Sequence, residues 1–366
     1  MTQREEEILH WIEENPLITQ QELADLAGIT RASVGVHISN LMKKGKIIGR
    51  GYVLPRRRYV TVIGGANIDI SGTPFSEPNP HDSNPGRSTL SLGGVGRNIA
   101  ENLSRLEVEV ELITVLGDDS HARQIQENCR QVGMSLAHTL TLPGQRTSTY
   151  LCLNDQNGDM LLAVSDMEIY SHLTPQYLSG KLEVINGSSA CVVDTNIPEE
   201  TLRWLMDVCT VPLFLDPVSL KKTEKIKPFL HGLYAMKPNI LEAQLLVDQP
   251  IRTEEEMAQA ACRIHQMGVE QVFLSLGARG VYYHQGETGA ILPCVLRPVV
   301  NTTGAGDSFL AAAVACFLEG GDIREMARWG LAASSLCVGS AETVSPQMSR
   351  SALLALLEEE ARQPSL

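Results

Sequence analysis

The stretch NTTGAGDSFLAAAVACFLEGG, residues 301–321, decides the fold of this chain. A β-branched apolar run leads through a glycine turn into an alanine-rich helix. Gly304 and Gly306 lack a Cβ atom, so backbone N–H groups around Ala305 can converge on an anion at the positive end of the helix. Asp307 follows at once, and its carboxylate suits a base that takes a proton from an attacking hydroxyl. A glycine turn that merely opens a core helix is the alternative, which this motif alone does not exclude.

A second glycine motif, LSLGGVGRNIAENLSRL, occupies residues 90–106. Gly93 and Gly94 predict a turn with exposed backbone, and apolar residues then recur at helical spacing. Asn98 falls in the first turn of that helix. Together and in this order, the two motifs resemble the signatures of the ribokinase family of carbohydrate kinases, also called the pfkB family. The resemblance implies that the first motif shapes a sugar site and that the second supplies an anion hole and the catalytic Asp307.

From Tyr59 onward the chain resembles this family throughout. Strand-like and helix-like segments alternate after residue 190, which predicts a parallel sheet covered by helices on both faces. The resemblance implies an α/β, ribokinase-like three-layer fold with a small β lid at about 70–92 and 146–166. It also implies that the first strand, YVTVIGGANIDI, ends at Asp69 and that this carboxylate grips sugar hydroxyls.

The nucleotide site is predicted by weaker motifs. KPNILE places Asn239 and Glu242 one helical turn apart, and the resemblance implies that this pair organises Mg²⁺ through water; an N-cap asparagine followed by an exposed glutamate is the alternative. The expected ATP-binding residues are Asn239, Ser275, Gly277, Gly280, Thr302, Gly304 and Gly306, with residues 332–339 closing over adenine. The family's second signature usually begins with an Asp that helps to hold K⁺, whereas this chain has Asn301, which lacks the charge. Whether a monovalent cation such as K⁺ binds at Asn301 and Thr303 is therefore left open.

For the substrate, the motifs are most similar to those of pseudouridine kinases within the family, which phosphorylate the 5′-hydroxyl of a C-linked ribonucleoside. The residues that the resemblance assigns to substrate are Asn67, Asp69, Ser83, Asn84, Gly93, Gly94, Asn98, Thr149, Asp166 and Asn196. The alternatives are a purine nucleoside (inosine, guanosine or adenosine) and, after these, free ribose. A protein of another class, a transcription regulator that keeps the kinase fold as a ligand sensor, is a further alternative. Such a regulator would not need a catalytic base, so the presence of Asp307 favours an enzyme.

Composition excludes several other functions. The chain has 366 residues, of which 43% are hydrophobic, and its eight cysteines show no CxxC pair or zinc spacing. It contains no HExxH motif and no P-loop, so we expect no transition-metal site and a different device for binding phosphate. No apolar run is long enough to span a membrane, and the first residues are charged. We therefore expect a cytoplasmic protein without a membrane partner.

The charge is unevenly distributed. Residues 1–58 carry nine basic and seven acidic side chains, whereas the remainder carries 21 and 36. No acidic residue lies between Arg31 and Arg58, which suggests a separate N-terminal module with an anionic partner.

The pattern of this module resembles a winged helix-turn-helix domain. Thr19 and Thr30 are placed to cap a second and a third helix, and KIIGRGYVLP predicts a β-hairpin wing. The resemblance implies binding to duplex DNA through Arg31, Ser33, His37, Asn40, Lys46 and Arg50, by a homodimer on paired half-sites. A dimerisation or capping module without DNA is the alternative. The predicted domains are 1–55 (winged helix-turn-helix), 56–59 (basic linker) and 60–366 (kinase).

Overall fold

The computed structural model describes residues 2–15, 18–44, 46–47, 58–157, 159–294 and 297–362. The chain divides into two compact units, residues 1–57 and 58–366. Within the described residues, no helix is both long enough and apolar enough to cross a membrane.

The first unit contains three helices, α1 (Gln3–Glu14), α2 (Gln20–Ala27) and α3 (Arg31–Lys43). The predicted caps are confirmed: the Thr19 and Thr30 side chains accept from backbone N–H groups of α2 and α3, and α2 ends at Gly28 in a left-handed conformation. Apolar residues at helical spacing meet in one small core, formed by Ile8, Leu23, Ala24, Val34, Ile38 and Leu41. The predicted wing lies almost wholly outside the described residues.

The second unit contains the remaining elements. Its strands are β1 (Tyr59–Ile63), β2 (Asn67–Pro74), β3 (Gly86–Gly93), β4 (Glu109–Ile113), β5 (Val115–Leu116), β6 (Leu140–Thr141), β7 (Thr149–Asn154), β8 (Met160–Asp166), β9 (Ala190–Asp194), β10 (Leu213–Asp216), β11 (Leu233–Met236), β12 (Val269–Ser275), β13 (Val281–Gln285) and β14 (Thr288–Leu292). Its helices are α4 (Val95–Arg105), α5 (Ser120–Gln131), α6 (Pro175–Ser179), α7 (Leu182–Gly187), α8 (Glu199–Val208), α9 (Leu220–Ile226), α10 (Ile240–Val247), α11 (Glu254–Gln266), α12 (Ala305–Leu318), α13 (Ile323–Val338) and α14 (Arg350–Arg362).

The central sheet has the strand order β14-β13-β12-β11-β10-β9-β1-β4. Two cores cover its faces, one with α4, α5, α12, α13 and α14 and the other with α6 to α11, so the predicted three layers are confirmed. The sheet is parallel from β12 to β4, but β12, β13 and β14 pair antiparallel. The prediction of a parallel sheet was therefore wrong at this edge, because the short connections there leave no room for a crossover helix.

A second sheet, in the order β3-β2-β7-β8, forms the lid. The run YVTVIGGANIDI is not one strand, as predicted, but two: β1 ends at Ile63 in the central sheet, and Asn67 opens β2 in the lid. The three small residues between them let the chain leave one sheet for the other. Asp69 consequently belongs to the lid rather than to the end of the first strand.

Candidate active site

The two glycines at the start of α12 serve different purposes. Gly304 has a φ of 83°, and a Cβ atom on it would collide with the carbonyl oxygen of Thr343. Gly306 lies in regular helix, where any residue fits the backbone. A Cβ atom on Gly306, however, would come within 2.9 Å of Lys237 Nζ. Gly304 therefore shapes the turn, and Gly306 makes room for a buried cation.

Asp307 lies in the first turn of α12 and is only 8% exposed. The side-chain amide of Asn98 donates to Asp307 Oδ2 at 2.7 Å, so the structure brings the two glycine motifs together at this contact. Asn98 is itself oriented by Arg97, whose guanidinium donates to the Asn98 side-chain oxygen and pairs with Glu101 at 2.5 Å. Arg97 and Glu101 are buried, and neither was predicted from the sequence. The available signal was an arginine and a glutamate four residues apart in the helix that follows a glycine motif.

Burial, and after it the nearby charge of Asp216, raise the pKa of Asp307 to about 7. The hydrogen bond from Asn98 and the charge of Lys237 act in the opposite direction. A carboxyl group poised near neutrality can exchange a proton with a substrate hydroxyl at physiological pH.

Lys237 follows β11 and pairs with Asp216 at 3.2 Å, with both side chains 8% exposed. Burial alone would lower the pKa of Lys237, but the charges of Asp216, Glu242 and Asp307 outweigh burial and raise it. Neither Lys237 nor Asp216 was predicted from the sequence as a site residue, although a lysine directly after an apolar strand was the available signal.

The lid supplies a second polar group. Asn67 donates through its side-chain amide to Asp69 Oδ1 at 2.6 Å. A Cβ atom on Gly93, the register neighbour of Asn67, would collide with the Asp69 carboxylate. Burial raises the pKa of Asp69, against the effects of Asn67 and of the Arg97 charge. Gly94 (φ 96°) packs on the backbone of Gly65 and so holds the two turns together.

The register separates two predicted substrate residues from this group. Asp69 pairs with Ser91 and Tyr150, whereas Thr149 pairs with Ile68 and Asp166. Register partners share a face of a sheet and consecutive residues alternate. Thr149 and Asp166 therefore lie on the face of the lid opposite to Asp69, and their assignment to the substrate stays a prediction.

Ser83 and Asn84 lie in the exposed loop between β2 and β3, at the opposite end of this hairpin from Asn67 and Gly93. Asn84 is used locally, because its side chain accepts from the backbone N–H of Asn79 at 2.7 Å. The structure does not bring these two residues to Asp69 within the chain.

Asn196 lies beside Gly65, in the turn between β1 and β2. A Cβ atom on Gly65 would come within 2.9 Å of the Asn196 amide nitrogen, and Lys222 donates to the amide oxygen. Asp194 accepts from the N–H groups of Gly65 and Gly96 at 2.8 and 2.7 Å. This buried carboxylate therefore joins the turn between β1 and β2 to the turn before α4.

A cavity of about 370 Å³ borders the start of α12. Most of the predicted ATP-binding residues line it, namely Asn239, Ser275, Gly277, Gly280, Thr302 and Gly306, together with Ser334, Ser335 and Val338 from the predicted adenine segment. Gly304 is not part of the lining. Further lining residues that the sequence did not indicate are Lys237, Cys294, Arg297, Val299, Phe309 and Leu331.

Asn239 and Glu242 form a capping box at the start of α10. The Asn239 side chain accepts from the Glu242 N–H at 2.9 Å, and Glu242 Oε2 accepts from the Asn239 N–H at 2.8 Å. Asn239 is thus the N-cap of the alternative interpretation, but Glu242 is buried rather than exposed. Among the described residues, no group of three or more His, Cys, Asp and Glu side chains is arranged to hold a metal ion.

Asn301 uses both ends of its side-chain amide. Its oxygen accepts from the Thr303 N–H at 3.0 Å, and its nitrogen donates to the carbonyl oxygen of Ala341 at 3.1 Å. The side chain of Asn301 therefore ties the segment before α12 to the segment after α13.

In the first unit, Arg31 and Lys46 are exposed, and Arg50 lies outside the described residues. Ser33, His37 and Asn40 are half-buried on α3, and the fully exposed positions of that helix include Ala32, Val36 and Ser39. The outward face predicted for α3 was therefore displaced by about one residue. Lys44, also predicted to face outward, is exposed, and its ammonium group pairs with Glu5 at 2.6 Å.

Comparison with known proteins identifies the family of each unit. The sequence model of the pfkB family carbohydrate kinases matches residues 57–350, and that of winged helix-turn-helix DNA-binding domains matches residues 1–48. The chain is 38% identical to the pseudouridine kinase of Escherichia coli K12 over 82% of this chain and 96% of that protein. It is 36% identical to a second protein of that organism, described as uncharacterized sugar kinase YeiI, over 98% of this chain and 99% of the other.

Solved structures agree in fold. A carbohydrate kinase from Agrobacterium tumefaciens is 32% identical, with a TM-score of 0.71 over 82% of this chain and 97% of that one. Arabidopsis thaliana ribokinase complexed with ribose and ATP, at 24% identity, has a TM-score of 0.73 over 82% and 99% of the two chains and shows a shared fold. The chain therefore belongs to the pfkB family of carbohydrate and nucleoside kinases, which transfer a phosphoryl group to an alcohol.

Proposed function

We propose that this chain is an ATP-dependent kinase that phosphorylates the 5′-hydroxyl of a ribonucleoside, with pseudouridine as the preferred substrate. The observation that carries the chemistry is the contact between Asn98 and Asp307 at the start of α12, beside a cavity large enough for a nucleotide. The similarity to pseudouridine kinase over most of the chain supports the choice of nucleoside.

In this mechanism Asp307 accepts the proton of the primary hydroxyl as its oxygen attacks the terminal phosphorus of ATP. Backbone N–H groups of Ala305 to Asp307 stabilise charge on the transferring phosphoryl group. Asn98 holds the carboxylate in position until substrate arrives. Asp69 and Asn67, on the polar face of the lid, bind ribose hydroxyls.

Asn239, which lines the nucleotide cavity, and Glu242, its partner in the capping box, would hold Mg²⁺ through water. Magnesium retains several waters and is often bound by one or two carboxylates together with substrate phosphates, so the absence of a carboxylate cage among the described residues is compatible with it. When bound, the ion would neutralise charge on the phosphate oxygens.

The substrate assignment is tested with purified protein, ATP and Mg²⁺. Pseudouridine, uridine, inosine, guanosine, adenosine and ribose are compared by kcat/KM, and the site of phosphorylation is read by ³¹P NMR. We expect pseudouridine to be preferred and its 5′-oxygen to be modified. A higher kcat/KM for a purine nucleoside would instead favour the activity named for guanosine-inosine kinase of Exiguobacterium acetylicum, which is 26% identical over 77% of this chain; preference for ribose would place the chain with the ribokinases.

A second function is proposed for the first unit, namely binding of duplex DNA by a homodimer. The match to winged helix-turn-helix domains and the exposed, acid-free surface of α3 support DNA as the partner. DNA binding distinguishes this proposal from a module that serves only dimerisation.

A further inference from the structure

The residues predicted from the sequence for the active site supply carboxylates, amides, hydroxyls and backbone N–H groups, but no positive side chain for the transferring phosphate. The structure places one there. Lys237 is buried to more than nine-tenths and lies among Asp216, Glu242 and Asp307, whose charges all act on it.

The position of the Lys237 ammonium group is set from two sides. On one side, Asp216 Oδ2 lies 3.2 Å from Nζ and forms an ion pair with it. On the other side, Nζ reaches the helix at Gly306, since a Cβ atom on that residue would come within 2.9 Å of it. A side chain at position 306 would therefore displace the ammonium group, although the regular helical backbone there would accept any residue.

Lys237 also borders the predicted nucleotide cavity. It lines the same cavity as Thr302, Ala305 and Gly306, the residues that surround the anion-binding turn. The ammonium group therefore lies between the nucleotide cavity and the buried carboxylate of Asp307. A lysine ammonium group is a compact point charge of the kind that binds phosphate oxygens.

We propose that Lys237 is a catalytic residue, which binds the phosphoryl group in flight through its ammonium group while Asp216 holds it in place. This inference rests on the proposed kinase activity. The bond from the terminal phosphorus to the bridging oxygen of ATP breaks, and its electron pair leaves with ADP. A bond from the substrate oxygen to phosphorus forms, the hydroxyl proton passes to Asp307, and Lys237 remains protonated throughout as an electrostatic ligand.

The test compares three variants with the wild type. Lys237→Met removes the charge and keeps the length of the side chain. Lys237→Met/Asp216→Asn removes both charges of the ion pair, so the Asp216 carboxylate is not left without its partner. Lys227→Met is the matched control, because it breaks a lysine–aspartate pair with Asp248 near the ends of α9 and α10.

Loss of one transition-state ligand costs about 10²- to 10³-fold in kcat. We expect this loss in both Lys237 variants, with the KM for nucleoside changed less than about threefold, and no comparable loss in Lys227→Met. A folded double variant with nearly wild-type kcat would overturn the proposal, since Lys237 would then only balance Asp216. Wild-type protein that phosphorylates no nucleoside or sugar would instead refute the proposed function itself.

A structure of the wild-type protein with a non-hydrolysable ATP analogue and nucleoside gives a test that does not depend on any variant. We expect Lys237 Nζ within hydrogen-bonding distance of a terminal phosphate oxygen. An ammonium group that stays on Asp216 alone, more than about 4 Å from every phosphate oxygen, would contradict the proposal.

Discussion

Asp307 must be ionised to act as a base, yet its surroundings favour the neutral form. Burial and the charge of Asp216 raise its pKa to about 7, and only Asn98 and Lys237 oppose them. An acid whose pKa is higher in the folded than in the unfolded chain stabilises the fold when protonated. That contribution is complete below the unfolded value near 3.8 and is lost as the pH rises through about 7.

Asp307→Asn is therefore expected to trade activity for stability. Turnover should fall by about 10²- to 10⁴-fold, because the base is lost, while nucleoside affinity changes little. In the wild type, kcat should decline as the pH falls below about 7. Thermal unfolding should show the variant more stable than the wild type at pH 8, with the difference shrinking towards pH 5.

Asp248→Asn, at an exposed carboxylate, provides the control for the stability measurement. Its effect should not change in the same way between pH 5 and pH 8. If Asp307→Asn keeps most of its turnover, Asp307 is not the base.

Asn301 leads to a second prediction at this scale. An aspartate there could still accept from the Thr303 N–H but could not donate to the carbonyl oxygen of Ala341, and two oxygens would then face each other. We expect wild-type activity to be the same with K⁺ and with tetramethylammonium, and Asn301→Asp to require K⁺.

Asn186→Asp is the matched control, because the Asn186 amide likewise bridges a backbone N–H (Thr210, 2.9 Å) and a carbonyl (Val208, 3.2 Å) away from the site. Activity in this variant should remain independent of K⁺. A wild-type enzyme that needs K⁺ would show that the Asn301 bridge does not replace the ion.

At the scale of the element, the lid has two unlike faces. The face with Asp69 also carries Ser91 and Tyr150, whereas the other face exposes aliphatic side chains: Leu90, Leu151, Leu153, Leu162 and Val164. A contiguous exposed apolar face of this kind is typical of a protein interface. The expected outcome is a homodimer in which this face of two lids is buried.

The register pairs Leu153 with Leu162, so one paired substitution tests this surface. Leu153→Asp/Leu162→Asp should convert the dimer to a monomer, because burying two carboxylates in an apolar interface is costly. Light scattering after size exclusion measures the mass. Leu354→Asp, at an exposed leucine of α14, should leave the mass unchanged. A wild-type monomer at micromolar concentration would refute the lid dimer.

At the scale of the whole molecule, the two units have their own cores and opposite charge balance. Removing residues 1–55 should leave kcat and KM nearly unchanged, because the residues assigned to phosphoryl transfer all lie beyond Tyr59. The full-length protein should bind duplex DNA from its own promoter region, with an affinity that falls as salt rises, and the truncated protein should not.

Arg31→Ala should weaken the DNA complex, since Arg31 is exposed at the start of α3. Arg203→Ala, at a surface arginine of the kinase unit, is the control. Absence of binding at low salt would assign the first unit to dimerisation, and a truncated protein without activity would show that the units depend on each other.

The sequence by itself determined those features that depend on neighbouring residues. Caps at Thr19 and Thr30 and the glycine motifs before α4 and α12 were readable because a capping bond or a tight turn involves only a few consecutive positions. The family resemblance supplied the lid and the order of the motifs, and the alternation of strands and helices predicted the layered sheet.

Tertiary structure alone decided which side chains meet. Asp216 ends β10, Lys237 follows β11 and Asp307 lies in the first turn of α12. Only the packing of these elements brings the three side chains together. The lid register put Thr149 behind the sheet rather than beside Asp69, because a one-residue offset reverses the face. Likewise, only packing showed that Gly306 is small to admit a lysine, since helical backbone carries no sign of what lies against it.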